Sequence, residues 1–220
     1  MSTNKQKIIN QLKKEILSLQ IKPGTIISEA TLTDRFQLSR TPIRDILKQL
    51  SLEGYINIYP QKGSLVSYID LESVEQIIYL RSTLEKEIVS ELCGLIPLKG
   101  QHDLKQILLA QKECLKSDNA FEQLIPLDDA FHKTLFELAG RTFLWDIIQQ
   151  FNVHYMRYRK LHMLKQEKLE EIIKEHEQLL TLLVQNDADK LDELIHHHIR
   201  ADVDSTLFQE HFVGYIKHDN

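Results

Sequence analysis

Apolar positions along this chain recur mostly at helical spacing. Ile8, Leu12 and Ile16 stand four apart, which predicts an amphipathic helix that Pro23-Gly24 stops. Ser28 then offers an N-cap to a short helix carrying Leu32 and Phe36. Ser39 is the next N-cap, with Pro42 in the first turn, where a missing N–H costs little. Ile43, Ile46, Leu47 and Leu50 follow i, i+3, i+4, i+7 and make the buried face of a third helix; Arg40, Thr41, Arg44 and Lys48 fall on its other side. Gly54 ends that helix as a left-handed cap. The pattern then changes. Tyr55-Ile56-Asn57-Ile58 and Ser64-Leu65-Val66-Ser67-Tyr68 read as two short strands, turned by Pro60-Gln61-Lys62-Gly63. Beyond Asp70 the helical spacing returns. Val74, Ile77, Ile78, Leu84 and Ile88 mark a long helix, and further helical stretches cover roughly 101–117, 119–139, 142–164, 167–185 and 187–210.

Helix, helix, turn, helix, hairpin predicts a winged helix-turn-helix over residues 1–70. Residues 71–220 predict an all-α helical bundle, so the fold class is mainly α. The third helix is slim enough to enter a major groove with its N-terminal end, where Arg40, Thr41 and Arg44 sit. Arginine can reach guanine O6 and N7 or clamp a phosphate in two-pronged fashion. The Ser39 and Thr41 hydroxyls and the N–H groups around Pro42 suit phosphate oxygens. Lys62 and Gly63 stand at the wing tip, where a residue without Cβ lets the backbone approach closely.

Charge sharpens that division. Residues 1–70 hold ten Lys and Arg against six Asp and Glu, net +4, while the remainder of the chain is net −9. A basic N-terminal part on an acidic body suits a polyanionic partner. Composition removes other classes. No apolar stretch approaches the ~20 residues of a membrane span, and the N-terminus lacks the apolar core of a signal peptide. Two cysteines, Cys93 and Cys114, make no disulfide framework, so a cytoplasmic location is expected and both read as small buried hydrophobes.

All ten histidines lie at or beyond His102. Asp128 and His132 stand i, i+4 and face one way on a helix; His176 lies on a later helix and His198 on the last. One carboxylate and three imidazoles from three helices suit a divalent metal such as zinc, nickel, manganese or iron, with positions left for water or a carboxylate. His196 and His197 read as solvated neighbours, although either replaces His198 if the helical register differs. Trp145 reads as core.

Ile26-Ile27-Ser28-Glu29, then Leu38-Ser39-Arg40-Thr41-Pro42-Ile43-Arg44-Asp45-Ile46-Leu47 and Leu52-Glu53-Gly54-Tyr55, resemble the DNA-binding domain of GntR-family bacterial transcription regulators over about residues 5–70. By position, Arg40, Thr41 and Arg44 resemble that family's DNA contacts, with Gly63 in the wing. The sequence departs from the pattern at Ala30, where some relatives carry another DNA-contacting arginine, and at Asp45-Ile46, where Glu-Ala is usual.

Arg81-Ser82-Thr83-Leu84-Glu85, Asp128 through Leu135, Ala139-Gly140, Glu175-His176 and His198-Ile199 are similar to the FCD effector domain of the FadR-type subgroup, over about residues 74–210. Arg141 stands where that subgroup often has Asn. The resemblance implies a metal held by Asp128, His132, His176 and His198, whose open positions accept a small organic acid. Arg81 is then either the arginine that meets the effector's acid group or an exposed arginine paired with Glu85. A homodimer reading a pseudo-palindromic operator in double-stranded DNA is implied, with repression relieved by ligand the commoner behaviour. A metal sensor, with the metal itself as signal, is the alternative, and a helical metalloenzyme using the same four residues is a third. No GxSxG, HExxH, P-loop or GxGxxG motif supports the third.

Overall fold

The structure, a computed structural model, describes residues 4–59, 63–117, 119–162, 166–200 and 211–217. It forms two compact units. One comprises residues up to Val74 together with 150–160 and the C-terminal segment; the other comprises 75–149 and 161–204.

In the first unit, helix α1 (Asn4–Leu17) places Ile8, Ile9, Leu12 and Ile16 on one face. These pack with Leu32 of α2 (Glu29–Phe36) and with Ile43, Ile46, Leu47 and Leu50 of α3 (Arg40–Leu52) in one apolar core. The Ser28 hydroxyl caps α2 by accepting the Thr31 N–H at 3.0 Å. Ser39 occupies the α3 N-cap position with extended backbone but makes no side-chain cap bond, so its hydroxyl stays exposed. Gly54 has φ +79°, and beside it the Tyr55 N–H donates to the Leu50 carbonyl at 2.9 Å. Those bonds close the helix as the sequence suggested, because only glycine takes this conformation without strain.

The wing holds three strands where two were expected. β1 (Ile26–Ile27) pairs antiparallel with β3 (Gly63–Val66), which pairs antiparallel with β2 (Ile56–Tyr59), giving the order β1-β3-β2. Two residues carry no readable alternation, so β1 is formed by its neighbour rather than by its own pattern.

The second unit is all helix. It contains most of α4 (Leu71–Leu92), then α5 (Leu98–Cys114), α6 (Ala120–Leu138), α7 (Thr142–Phe151), α9 (Gln166–Gln185) and α10 (Ala188–Arg200). α5 packs on α6, α9 on both, and α10 on α9. Gly100 of α5 lies so near α6 that an added Cβ would meet Leu138 Cδ2 at 2.7 Å. Pro126 sits inside α6 without ending it.

The single helix expected over 142–164 is broken. α7 stops at Phe151, Asn152 intervenes, and α8 (Val153–His162) begins. Asn152 is buried and its carbonyl accepts the Met156 N–H at 2.8 Å, so it starts a new helix rather than continuing the old one. Most of α8 belongs with the first unit, as does the segment 211–217. Of the stretch expected as helix over 187–210, α10 accounts for residues to Arg200; 201–210 lie outside the described residues. Among the described residues no helix is long and apolar enough to cross a membrane.

Candidate functional site

Helix α3 offers one candidate surface. Its apolar stripe is buried, which turns Arg40, Thr41, Arg44 and Lys48 to solvent at and beyond the N-terminal end. Pro42 is half-buried in the first turn. The Arg44 Nε donates to both Glu29 carboxylate oxygens, at 2.9 and 3.0 Å, although Arg44 itself is 65% exposed. Arg44 is therefore held by a neighbour on α2 yet remains reachable by a phosphate or a base edge. Gly63 opens β3 opposite Tyr59, with φ +102°. Lys62 lies outside the described residues.

The second unit holds the other candidate site. Asp128 and His132 of α6, His176 of α9 and His198 of α10 bring one ligand atom each to within 4.8 Å of one another. The His198 Nε2 lies 3.1 Å from both the His176 Nε2 and the His132 Nε2. The Asp128 oxygens lie 3.6 Å from His176 Nε2 and 3.9 Å from His132 Nε2. His196 and His197 face solvent, so the helical register selects His198.

The opposite edges of two of the rings are tied down by hydrogen bonds. The His198 Nδ1 donates to Glu175 Oε2 at 2.6 Å, and the His176 Nδ1 donates to Gln111 Oε1 at 3.0 Å. The Gln111 amide is oriented by its own Nε2, which donates to the Leu127 carbonyl at 3.1 Å. His132 Nδ1 faces Glu85 Oε2 at 2.5 Å. With acceptors on the Nδ1 of His176 and His198 and the Glu85 carboxylate against that of His132, the tautomers that place each proton at Nδ1 aim the three Nε2 lone pairs inward. Three converging lone pairs repel unless a cation lies among them. A proton serves one pair; a divalent ion serves all three and the Asp128 carboxylate. Nitrogen ligands on zinc at ~2.0–2.1 Å sit about 3.3 Å apart in a tetrahedron, close to the spacing found here. The donor set fits a borderline divalent metal, and the supporting acceptors are those such sites use.

Electrostatics agree. His132 is fully buried, and burial pushes its imidazole below its ordinary range, with Glu85 only partly opposing. Burial would raise the Glu85 carboxyl, but the Arg81 guanidinium and His132 outweigh it and hold the group down at about 2. Phe131 stacks on His176 with ring centroids 4.1 Å apart, fixing that ring's plane.

Arg81 differs from the exposed arginine of the second expectation. It does pair with Glu85, Nε to Oε1 at 2.7 Å, but it is buried rather than exposed, with its guanidinium 5.8 Å from the Trp145 ring centroid. Trp145 and Cys114 are buried and Cys93 half-buried; both cysteines are free.

Three participants were not assigned to this site from sequence. Glu85 was visible only as a helical partner for Arg81, and Glu175 only as a neighbour of His176. Gln111 carries no signal, since nothing in a row of residues shows that a glutamine will be wholly buried beside an imidazole. Arg157, fully buried in α8, lies in the other unit and was likewise not placed from sequence.

Comparison with known proteins covers both units. Residues 76–201 match the model of the FCD domain, and residues 4–66 match that of bacterial regulatory proteins of the gntR family. The HTH-type transcriptional repressor RspR of Escherichia coli (strain K12) is 27% identical over 195 residues, 89% of this chain and 85% of that protein. The gluconate operon transcriptional repressor of Bacillus subtilis (strain 168) is 26% identical over 197 residues, 86% of this chain and 79% of that protein. Among solved structures, E. coli McbR/YncC has a similar fold, with TM-score 0.73 and 19% identity over 96% of this chain and 99% of that one.

Proposed function

Because this chain belongs to the GntR family of bacterial regulatory proteins and carries an FCD domain, it is a DNA-binding transcription regulator rather than an enzyme, and we propose that it is a cytoplasmic repressor whose operator affinity is set by a divalent metal and a small organic acid in its helical unit. The observation that supports the metal half is the convergence of three Nε2 atoms, with the Nδ1 of His176 and His198 bonded to Gln111 and Glu175 and that of His132 facing Glu85.

In this reading residues 1–70 read DNA and residues 71–220 respond to ligand, with α8 and 211–217 attached to the reading unit. Arg40, Thr41 and Arg44 enter the major groove, Ser39 and the first turn at Pro42 meet phosphate, and Lys62 with Gly63 follow the backbone at the wing. A homodimer presents two such helices to a pseudo-palindrome, since one module on one half-site binds too weakly to compete with non-specific DNA. Asp128, His132, His176 and His198 hold the ion, which when bound supplies open positions for a carboxylate. Arg81, already buried in the same network, meets the effector's remaining acid group. An effector that favours one arrangement of the helices by ~1–3 kcal/mol changes operator affinity some 5–150-fold.

Native mass spectrometry of the purified chain tests this directly. The expected species is a dimer with one divalent metal per chain, and His132→Ala loses the metal. A chain that stays empty after Zn²⁺, Ni²⁺ and Mn²⁺ are offered, or a His132→Ala variant that loads normally, defeats the metal assignment and leaves DNA binding standing.

A further inference from the structure

The segment leaving the wing, Ser67 to Asp70, is held from three directions within the DNA-reading unit. Arg157 of α8 donates from Nη1 to the Ser67 carbonyl at 2.6 Å and from Nη2 to the Ser67 hydroxyl at 3.0 Å. That hydroxyl donates onward to the Gly54 carbonyl at 2.7 Å, at the C-terminal end of α3. A continuous relay thus runs from α8 through Ser67 to the end of the helix that carries Arg40 and Arg44. His154, one turn before, accepts the Asp70 N–H on Nδ1 at 3.2 Å.

The third hold comes from the far end of the chain. Ile69 and Ile216 form a parallel bridge, with the Ile69 N–H donating to the Tyr215 carbonyl at 2.8 Å and the Lys217 N–H to the Ile69 carbonyl at 2.9 Å. Lys217 Nζ lies 3.7 Å from the Asp70 carboxylate, whose other oxygen accepts the Glu72 N–H at 3.1 Å and starts α4. Helix α4 goes on to supply Arg81 and Glu85. The covalent chain beyond His198, which closes the histidine site, leads to this same C-terminal segment.

The hold is specific but thin. In the C-terminal segment Ile216 is buried, while Val213 and Lys217 are exposed. A cavity of about 640 Å³ lies against it, lined among others by Asn57, Tyr59, Ser67, Tyr68, His154 and Lys217. Few buried contacts and open space beside them mark an element that can let go at low cost. Arg157 is the opposite: a fully buried guanidinium whose partners are the carbonyls of Ser67 and Val153, the Ser67 hydroxyl and His154, so its charge is satisfied only while Ser67 stays in place.

We propose that Arg157 and the C-terminal segment 211–217 form a clasp on Ser67–Asp70, and that this clasp is the element through which the state of the histidine site changes DNA reading. The proposal rests on the metal-dependent reading given above. The clasp positions the recognition helix and touches neither DNA nor metal.

Two full-length variants test it. Lys217→Glu sets a carboxylate against Asp70, and Ser67→Ala removes the hydroxyl that joins Arg157 to Gly54. Affinity for a duplex selected from a random library by the wild-type chain is measured with Zn²⁺-loaded and with chelator-stripped protein, alongside zinc content and Tm. The wild type is expected to differ between the two states by about 5-fold or more. Each variant keeps its zinc and stays folded at the assay temperature, Ser67→Ala with a Tm lowered by several degrees, but the difference shrinks below about 2-fold. Variants that retain the full wild-type ratio overturn the clasp and leave the metal reading intact. A wild-type chain that takes up zinc yet binds DNA equally in both states overturns the metal-dependent reading itself, and the clasp as its transmitter with it.

Discussion

Replacing Glu85 by Gln tests the buried network at its centre. The Glu85 side chain is wholly inaccessible; one oxygen accepts from Arg81 and the other faces His132. Gln keeps the shape and removes the charge. Arg81, only 2% exposed, then loses the carboxylate it pairs with, and the amide NH2 that replaces one oxygen meets either the Arg81 guanidinium or the protonated edge of His132. Removing one partner of a buried ion pair costs ~3–5 kcal/mol. At ~2–4 °C per kcal/mol for a chain of this size, Tm falls by ~6–20 °C.

The pH dependence gives an independent check on that magnitude. The carboxyl falls from its ordinary 4.5 to about 2 in the folded chain. A folded value below the unfolded one means the stabilisation is complete above the unfolded pKa and drains away as pH falls toward the folded one. Linkage over that interval gives ~3 kcal/mol at pH 7 and ~1–2 kcal/mol at pH 3. Trp145 is the chain's one tryptophan, buried near Arg81 in the helical unit, so its fluorescence follows the unfolding of the relevant part. Urea titrations of metal-free wild type and Glu85→Gln at pH 7 and pH 3 therefore decide the matter. A loss below about 1 kcal/mol at pH 7, or a loss that does not shrink at pH 3, refutes the argument.

Two other substitutions separate the sites. Gln111→Leu leaves the four ligands in place but removes the acceptor that orients His176; zinc affinity falls ~10–100-fold by competition with a chromophoric chelator, and an unchanged affinity removes Gln111 from the support. Arg44→Ala weakens operator binding by ~1–3 kcal/mol in fluorescence anisotropy, with specificity relaxed at one base position if Arg44 reads a base, or a uniform loss and a shallower salt slope if it meets phosphate. Neither effect changes metal content, because Arg44 and the histidines lie in different units.

The winged helix was legible because its contacts are local and its pattern is redundant. The stripe Ile43, Ile46, Leu47, Leu50, the caps at Ser28 and Gly54 and the proline in the first turn of α3 all specify one arrangement within a few residues of themselves. His198 was separable from His196 and His197 only through helical phase, which sequence carries wherever a helix is continuous. Where continuity failed, so did the reading: Asn152 splits a strongly helical stretch, and the return of α8 to the N-terminal unit depends on Arg157 finding Ser67, ninety positions away in sequence.

What the sequence determined by itself was the kind of elements, the family, and which side chains could bind DNA or ligate a metal, since those depend on residue type, period and capping. Tertiary structure alone decided which side chains serve those groups. Glu85, Gln111 and Glu175 are ordinary polar residues until three helices bring them behind three imidazoles, and Arg157 and Lys217 are ordinary cations until the chain returns to the linker. Burial makes each of these partners necessary, because a polar group removed from water must find its bond within the protein. Burial is a property of how distant segments meet.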